Sequence, residues 1–205
     1  LDSITDGDTA NASLADGGIK IAQANSVTTL NLTLDDMGPA SAILNSNVFI
    51  DISGSGISTA NLTSLNDNFI ALSNSGNSLT RLNIAGSGKL NISGALPNSV
   101  TTISANSLTA DLTLTAGTSG TTIVSGTGAD KFTLTGGTNN VTASNGNDVI
   151  TISGGANTID TGSNNDEVDV SNGTNNINTG GGNDEVTISG GTNTLNTDSG
   201  NDVVD

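Results

Sequence analysis

The chain has 205 residues, 33% of them hydrophobic and 1% aromatic, with 20 acidic and four basic residues for a net charge of -16. It has no Cys and no His, which removes disulfides, thiolate metal sites and imidazole chemistry and leaves oxygen as the ligand type for any metal. Lys20, Arg81, Lys89 and Lys131 are too few to neutralise phosphates, so nucleic acid and anionic membranes are poor partners and cations are natural ones.

No stretch approaches ~20 apolar residues, so the sequence predicts no membrane span. Leu1 opens no basic-plus-apolar secretory signal and the last repeat breaks off at Asp205, so the sequence reads as part of a longer chain. Apolar residues recur at regular spacing among abundant Gly, Ser, Thr and Asn, which argues for a repetitive β fold rather than disorder.

Residues 1–24 read as an acidic linker or edge segment. LDSITDGDTANASLADGG (1–18) sets Asp2, Asp6, Asp8 and Asp16 among Gly, Ala and Ser, and a solvated linker suits it better than a calcium loop on Asp6 and Asp8. Residues 25–124 are expected to form an irregular β-solenoid. SVTTLNLTL (26–34), VFIDIS (48–53), SLTRLNIAG (78–86), KLNISG (89–94), SVTTIS (99–104) and DLTLT (111–115) alternate as strands do. Asp35 and Asp36 before Met37 read as a turn. TANLTSLNDNFIALS (59–73), with bulky Leu62, Leu65, Phe69, Ile70 and Leu72, breaks the pattern and is expected to be a short helix or a wider coil. NSVTTL (25–30), NSLTRL (77–82) and NSVTTI (98–103) are near-copies, as successive coils would be. GTSGTTIVSGTGADKF (117–132) is the junction to a more regular region.

Over residues 125–205 the period is nine. Asp130, Asp148, Asp166, Asp184 and Asp202 stand 18 apart, with Asn139, Asn157, Asn175 and Asn193 midway. Two residues after each comes an apolar residue, from Phe132 to Val204, and two before each comes Gly, or Asn164 once, so a tight turn recurs every nine residues. Nine residues make half a coil of a flattened solenoid. All Asp turns then fall on one edge and all Asn turns on the other.

After each Asp turn two large residues point inward, as Ile150 and Ile152 do; after each Asn turn one large and one small, as Val141 and Ala143 do. Coils lie ~4.8 Å apart, so neighbouring carboxylates on the Asp edge repel by roughly 3 kcal/mol at an effective dielectric of 20. A hard dication between successive turns relieves this, and an irregular oxygen cage suits Ca²⁺ better than octahedral Mg²⁺. Stacked amides on the Asn edge can instead hydrogen-bond along their column.

SNGNDVIT (144–151), GGGNDEVT (180–187) and DSGNDVVD (198–205) resemble the repeats-in-toxin (RTX) nonapeptide Gly-Gly-x-Gly-x-Asp-x-apolar-x. The resemblance implies a right-handed parallel β-roll with one Ca²⁺ between consecutive Asp turns. Its ligands would be the side chains of Asp130, Asp148, Asp166, Asp184 and Asp202 and turn main chain near Gly128, Gly146, Asn164, Gly182 and Gly200. The sequence departs from the family in its metal-free Asn edge and in several missing first glycines, such as Ala143-Ser144 before Asp148.

Catalysis is not expected, since there is no His, Cys, Tyr or serine elbow. Outward pairs such as Lys131 with Thr133, Glu167 with Asp169, and Asn176 with Asn178 do not form the threonine array of an ice-binding solenoid. The long acidic Ser/Thr/Asn-rich solenoid is similar in style to the calcium-dependent surface-layer proteins of Gram-negative bacteria. That resemblance implies an extracellular structural protein that self-assembles, with cell-surface polysaccharide as a further partner. The alternative is the C-terminal calcium-folding module of a type I secreted RTX adhesin, toxin or enzyme. In either, low calcium keeps the roll unfolded inside the cell and calcium outside folds it. Glu167, Asp169, Glu185 and Asp205, pointing outward, are candidates for calcium bridges between molecules.

Overall fold

A computed structural model describes residues 11–15, 18–22, 27–37, 48–53 and 55–205. Asp2, Asp6, Asp8 and Asp16 lie outside the described residues. In chain order the strands begin with β1 (Asn11–Ala15), β2 (Gly18–Ala22), β3 (Thr29–Leu34), β4 (Val48–Ile52), β5 (Thr59–Ser64), β6 (Asn68–Ser73) and β7 (Arg81–Gly86). There follow β8 (Leu90–Ala95), β9 (Thr102–Leu108), β10 (Leu112–Thr115), β11 (Thr122–Val124), β12 (Lys131–Leu134), β13 (Thr138–Thr142) and β14 (Val149–Ile152). The last are β15 (Ala156–Asp160), β16 (Glu167–Val170), β17 (Thr174–Asn178), β18 (Glu185–Ile188), β19 (Thr192–Asn196) and β20 (Val203–Val204).

The chain is an all-β solenoid. One sheet has eleven strands in the order β1-β2-β4-β6-β8-β10-β12-β14-β16-β18-β20, and the other has nine in the order β19-β17-β15-β13-β11-β9-β7-β5-β3. Apart from the antiparallel pair β1 and β2 at the edge of the larger sheet, every pairing is parallel. The strands expected between residues 26 and 115 are all present. TANLTSLNDNFIALS folds as β5, a tight turn and β6, so of the two expectations the wider coil is correct and the helix is not. Alternation explains it: Ala60, Leu62, Ile70 and Leu72 point inward at period two, while Leu65 and Phe69 face solvent.

Coil length falls along the chain. In the nine-stranded sheet Leu30 pairs with Ala60, 30 residues on; the next steps, to Leu82, Ile103 and Ile123, are 22, 21 and 20 residues. From Ile123 to Val141 and beyond each step is 18. Strands stack in register because each inward side chain fills the step above its predecessor. The near-copies ending at Leu30, Leu82 and Ile103 occupy one column.

The core is a single apolar column between the sheets. The expected inward residues Phe132, Val141, Ile150, Ile159, Val168, Ile177 and Val186 are buried, and their second partners divide as expected. The eleven-stranded sheet contributes Leu134, Ile152 and Val170, and the other contributes Ala143, Thr161 and Thr179. A bulky face meets a slimmer one, which keeps the interior filled at constant sheet separation.

Candidate functional site

The Asp edge is formed where the chain turns into the eleven-stranded sheet, each Asp standing one residue before its strand. The turn needs glycine for two reasons. Gly146 has φ 129°, and a Cβ placed on it would lie 2.0 Å from the carbonyl oxygen of Gly128 in the coil before. Asn164, Gly182 and Gly200 share the positive φ. Gly128 does not share that φ and is held to glycine by close approach alone, its Cβ position being 2.3 Å from the carbonyl carbon of Ala110.

The carboxylates turn inward beneath these turns. Asp130, Asp148, Asp166 and Asp184 are 1%, 0%, 3% and 1% exposed. Each takes one hydrogen bond from the preceding coil. Leu112 N–H donates to Asp130 Oδ1 (2.7 Å), Asp130 N–H to Asp148 (2.7 Å), Asp148 N–H to Asp166 (2.8 Å), Asp166 N–H to Asp184 (2.9 Å) and Asp184 N–H to Asp202 (3.1 Å). The Oδ2 atoms of Asp130, Asp148, Asp166 and Asp184 are buried with no hydrogen-bond partner. Four orphaned oxygens therefore stack one coil apart.

Burial pushes the Asp148 carboxyl up to about 8, its charged neighbours Asp130 and Asp166 adding to the effect while the Asp130 N–H opposes it. Burial likewise raises Asp130 to about 6 and raises Asp166. The hydroxyls of Ser125 and Thr161, five residues upstream, moderate these two by proximity, although each donates its hydrogen to a carbonyl, of Ala143 and Thr179, and leaves Oδ2 without a bond. Asp148 has Ala143 at that position and is displaced further than Asp130.

The Asn edge contrasts at every point. Asn139 Nδ2 donates to Asn157 Oδ1, Asn157 to Asn175 and Asn175 to Asn193, each at 2.7 Å. The second hydrogen of each amide goes to the carbonyl three residues back, of Gly136, Gly154, Asn172 and Gly190. Thr121 N–H supplies the first Oδ1. The expected amide ladder is present, its side-chain amides bonded along the column.

A third ladder went unread in the sequence. Asn147, Asn165 and Asn183 accept from the N–H groups of Asn165, Asn183 and Asn201 in the following coil, opposite in sense to the Asp bonds beside them. Its 18-residue spacing is visible in the sequence, but Asn is common in turns for its own local bonds, so the spacing alone does not mark a ladder. The Asp column also has a continuation that no period reveals: in register before Asp130 stand Leu112, Leu90 and Asn68. Leu112 and Leu90 are buried apolar side chains, and Asn68 is bonded to Met37 N–H, Leu34 O and Ser64 Oγ. Beside this step, Lys89 pairs with Asp111 at 2.6 Å.

The donor set suits a hard cation: buried orphaned carboxylate oxygens, with no Cys or His in the chain. No corner N–H of the described residues donates to the carbonyls of Gly128, Gly146, Asn164 or Gly182. Among the described residues no group of three or more acidic side chains converges, so an ion here would draw on two carboxylates of successive coils and on main-chain oxygens. Glu167 and Glu185 are exposed, as expected, and take no part in the column. No protein family, curated protein or solved structure matches the chain.

Proposed function

We propose that this is a structural, non-catalytic solenoid of the bacterial surface, of RTX type, whose regular half closes on Ca²⁺ and which assembles into a surface layer. One observation supports it above others: the stacked, buried Oδ2 atoms of Asp130, Asp148, Asp166 and Asp184, each without a partner. A buried carboxylate left this way must be protonated or neutralised by a counter-charge. Ca²⁺ supplies that charge without demanding strict octahedral geometry. Asp130, Asp148, Asp166, Asp184 and Asp202 would hold it, with main-chain oxygens at Gly128, Gly146, Asn164, Gly182 and Gly200.

The rest of the column follows from this chain's own residues. Each Oδ1 is bonded to the N–H of the coil before, which fixes the carboxylate and leaves Oδ2 as the atom that would meet a cation. Without a cation the corner carries either charge repulsion or the cost of taking up protons, which supports coupling of folding to external calcium.

The test is far-UV circular dichroism of the full chain in chelator, titrated with Ca²⁺ and separately with Mg²⁺. A cooperative gain of β signal with Ca²⁺ alone is expected. A full β signal already present in chelator at neutral pH would overturn the reading.

A further inference from the structure

We propose that the outward face of the nine-stranded sheet is where a second copy of this chain docks, face to face about a two-fold axis lying along β11. This deepens the lattice reading above by naming the surface at which copies meet. The register places two outward columns at the centre of that face, one running from Thr29 to Thr194 and the other from Asn31 to Asn196. Both consist of Thr, Asn and Ser with three exceptions, Arg81, Val124 and Asp160.

The opposite sheet differs. Its outward positions include Lys131, Glu167, Asp169 and Glu185 as well as exposed Phe49 and Phe69. The acidic outward pairs of the sequence thus belong to one sheet, and the other presents a nearly uncharged hydroxyl and amide surface. In a chain of net charge -16, two copies approach with least repulsion through this face. Part of it is already ordered: Asn61 Nδ2 donates to Asn31 Oδ1 (2.6 Å) and Asn83 Nδ2 to Asn61 Oδ1 (2.8 Å), so less side-chain freedom is lost on docking.

The two charges on the face are placed for self-recognition. Strand β11 is the central strand of the nine, β7 with Arg81 lies two strands to one side, and β15 with Asp160 two strands to the other. Rotation about β11 sets β7 of one copy over β15 of the other. Arg81 then sits over Thr158, and Asp160 is two residues further along the strand, ~7 Å away and within reach of a guanidinium. The pairing occurs twice by symmetry. Among the described residues neither Arg81 nor Asp160 makes an ion pair within its own chain. Nine strands at ~4.8 Å spacing give a face of roughly 40 by 15 Å, about 600 Å² per copy and about 1,200 Å² in the pair, the lower end for a specific interface. A glycan is less well suited, because no aromatic ring lies in these columns for a sugar to stack on.

Sedimentation velocity of the full chain in saturating Ca²⁺ decides it. The wild type is expected to dimerise, and Arg81→Glu and Asp160→Arg each to weaken association by about tenfold or more, all with unchanged circular dichroism. The double variant Arg81→Glu with Asp160→Arg restores the pair. A folded wild type that stays monomeric, single variants that associate normally, or a double variant that fails to recover would each overturn the proposal. Monomers retained on an uncharged polysaccharide matrix would reassign the face to a glycan. Loss of the calcium effect on β signal would instead strike the cation reading, and the same comparison on the folded chain would still judge the face.

Discussion

Asp148 and Asp166 lie in register on successive coils, joined by the bond from Asp148 N–H to Asp166 Oδ1 at 2.8 Å, while the Oδ2 of each is buried without a partner. Half of each carboxylate is therefore structural and half is unsatisfied. The unsatisfied half gives the column its sensitivity to protons and cations.

Replacing Asp148 by Asn keeps an Oδ1 for the Asp130 N–H and removes a buried carboxyl that must take up a proton to sit between two other acids. In chelator at neutral pH the variant is expected to be more stable than wild type, on the order of 1–3 kcal/mol by urea denaturation. In calcium it should gain less than wild type does, because one position of the column has lost its charge. Equal calcium stabilisation in the two proteins would rule out Asp148 as a ligand.

Stability in chelator should fall as pH rises. Asp130 and Asp148 titrate near 3.8 when unfolded but are raised to about 6 and about 8 when folded, so the folded chain holds more protons between these values. Their contribution is complete below pH ~4, is lost through about pH 6 for Asp130 and persists to about pH 8 for Asp148. With screening at the corner the slope is about 1 kcal/mol per pH unit or less. Urea midpoints at pH 5 and pH 8 in chelator check the sign, and saturating Ca²⁺ should flatten the difference.

On the other edge the opposite exchange is harmful. Asn175→Asp loses the donors to Asn172 O and to Asn193 Oδ1 and sets a carboxylate against that oxygen, at an expected cost of about 2–4 kcal/mol. Calcium should not restore the loss, since the Asn corner has no orphaned carboxylate to share an ion. Thermal melts with and without Ca²⁺ test both parts.

The two halves should respond differently to cation removal. Among the described residues, coils before Asp130 carry Asn68, Leu90 and Leu112 at the corner position, and the one buried acid there, Asp51, is held by Ser73 and Ser75. Hydrogen exchange on the full chain is expected to show strongly protected amides from Thr59 to Leu114 in chelator, and weaker protection from Lys131 to Val204 that rises with Ca²⁺. Simultaneous loss in both halves would mean one cooperative unit.

Much of the regular half was legible because its information is local. A Gly two residues before each Asp or Asn and an apolar residue two after it state the turn, the strand and the inward side chain within nine residues, and the structure follows them from Phe132 to Val186. The 59–73 segment was ambiguous because a short apolar run carries no decisive period until its turn is known. The descent of coil length from 30 to 18 residues was hidden for a related reason: corners of varying length carry no fixed residue that marks where one coil ends.

The sequence by itself determined a repetitive β-solenoid with charge on one edge and amides on the other, because period and composition are properties of neighbours along the chain. Only the tertiary structure decided that the carboxylates turn inward with one oxygen bonded and one orphaned, and that their column begins where Leu112 gives way to Asp130. The structure alone also placed Arg81 and the outward acid Asp160 on either side of β11, on the sheet opposite Glu167, Asp169 and Glu185. These depend on register between coils of unequal length, a sum over the whole preceding chain that no local pattern contains.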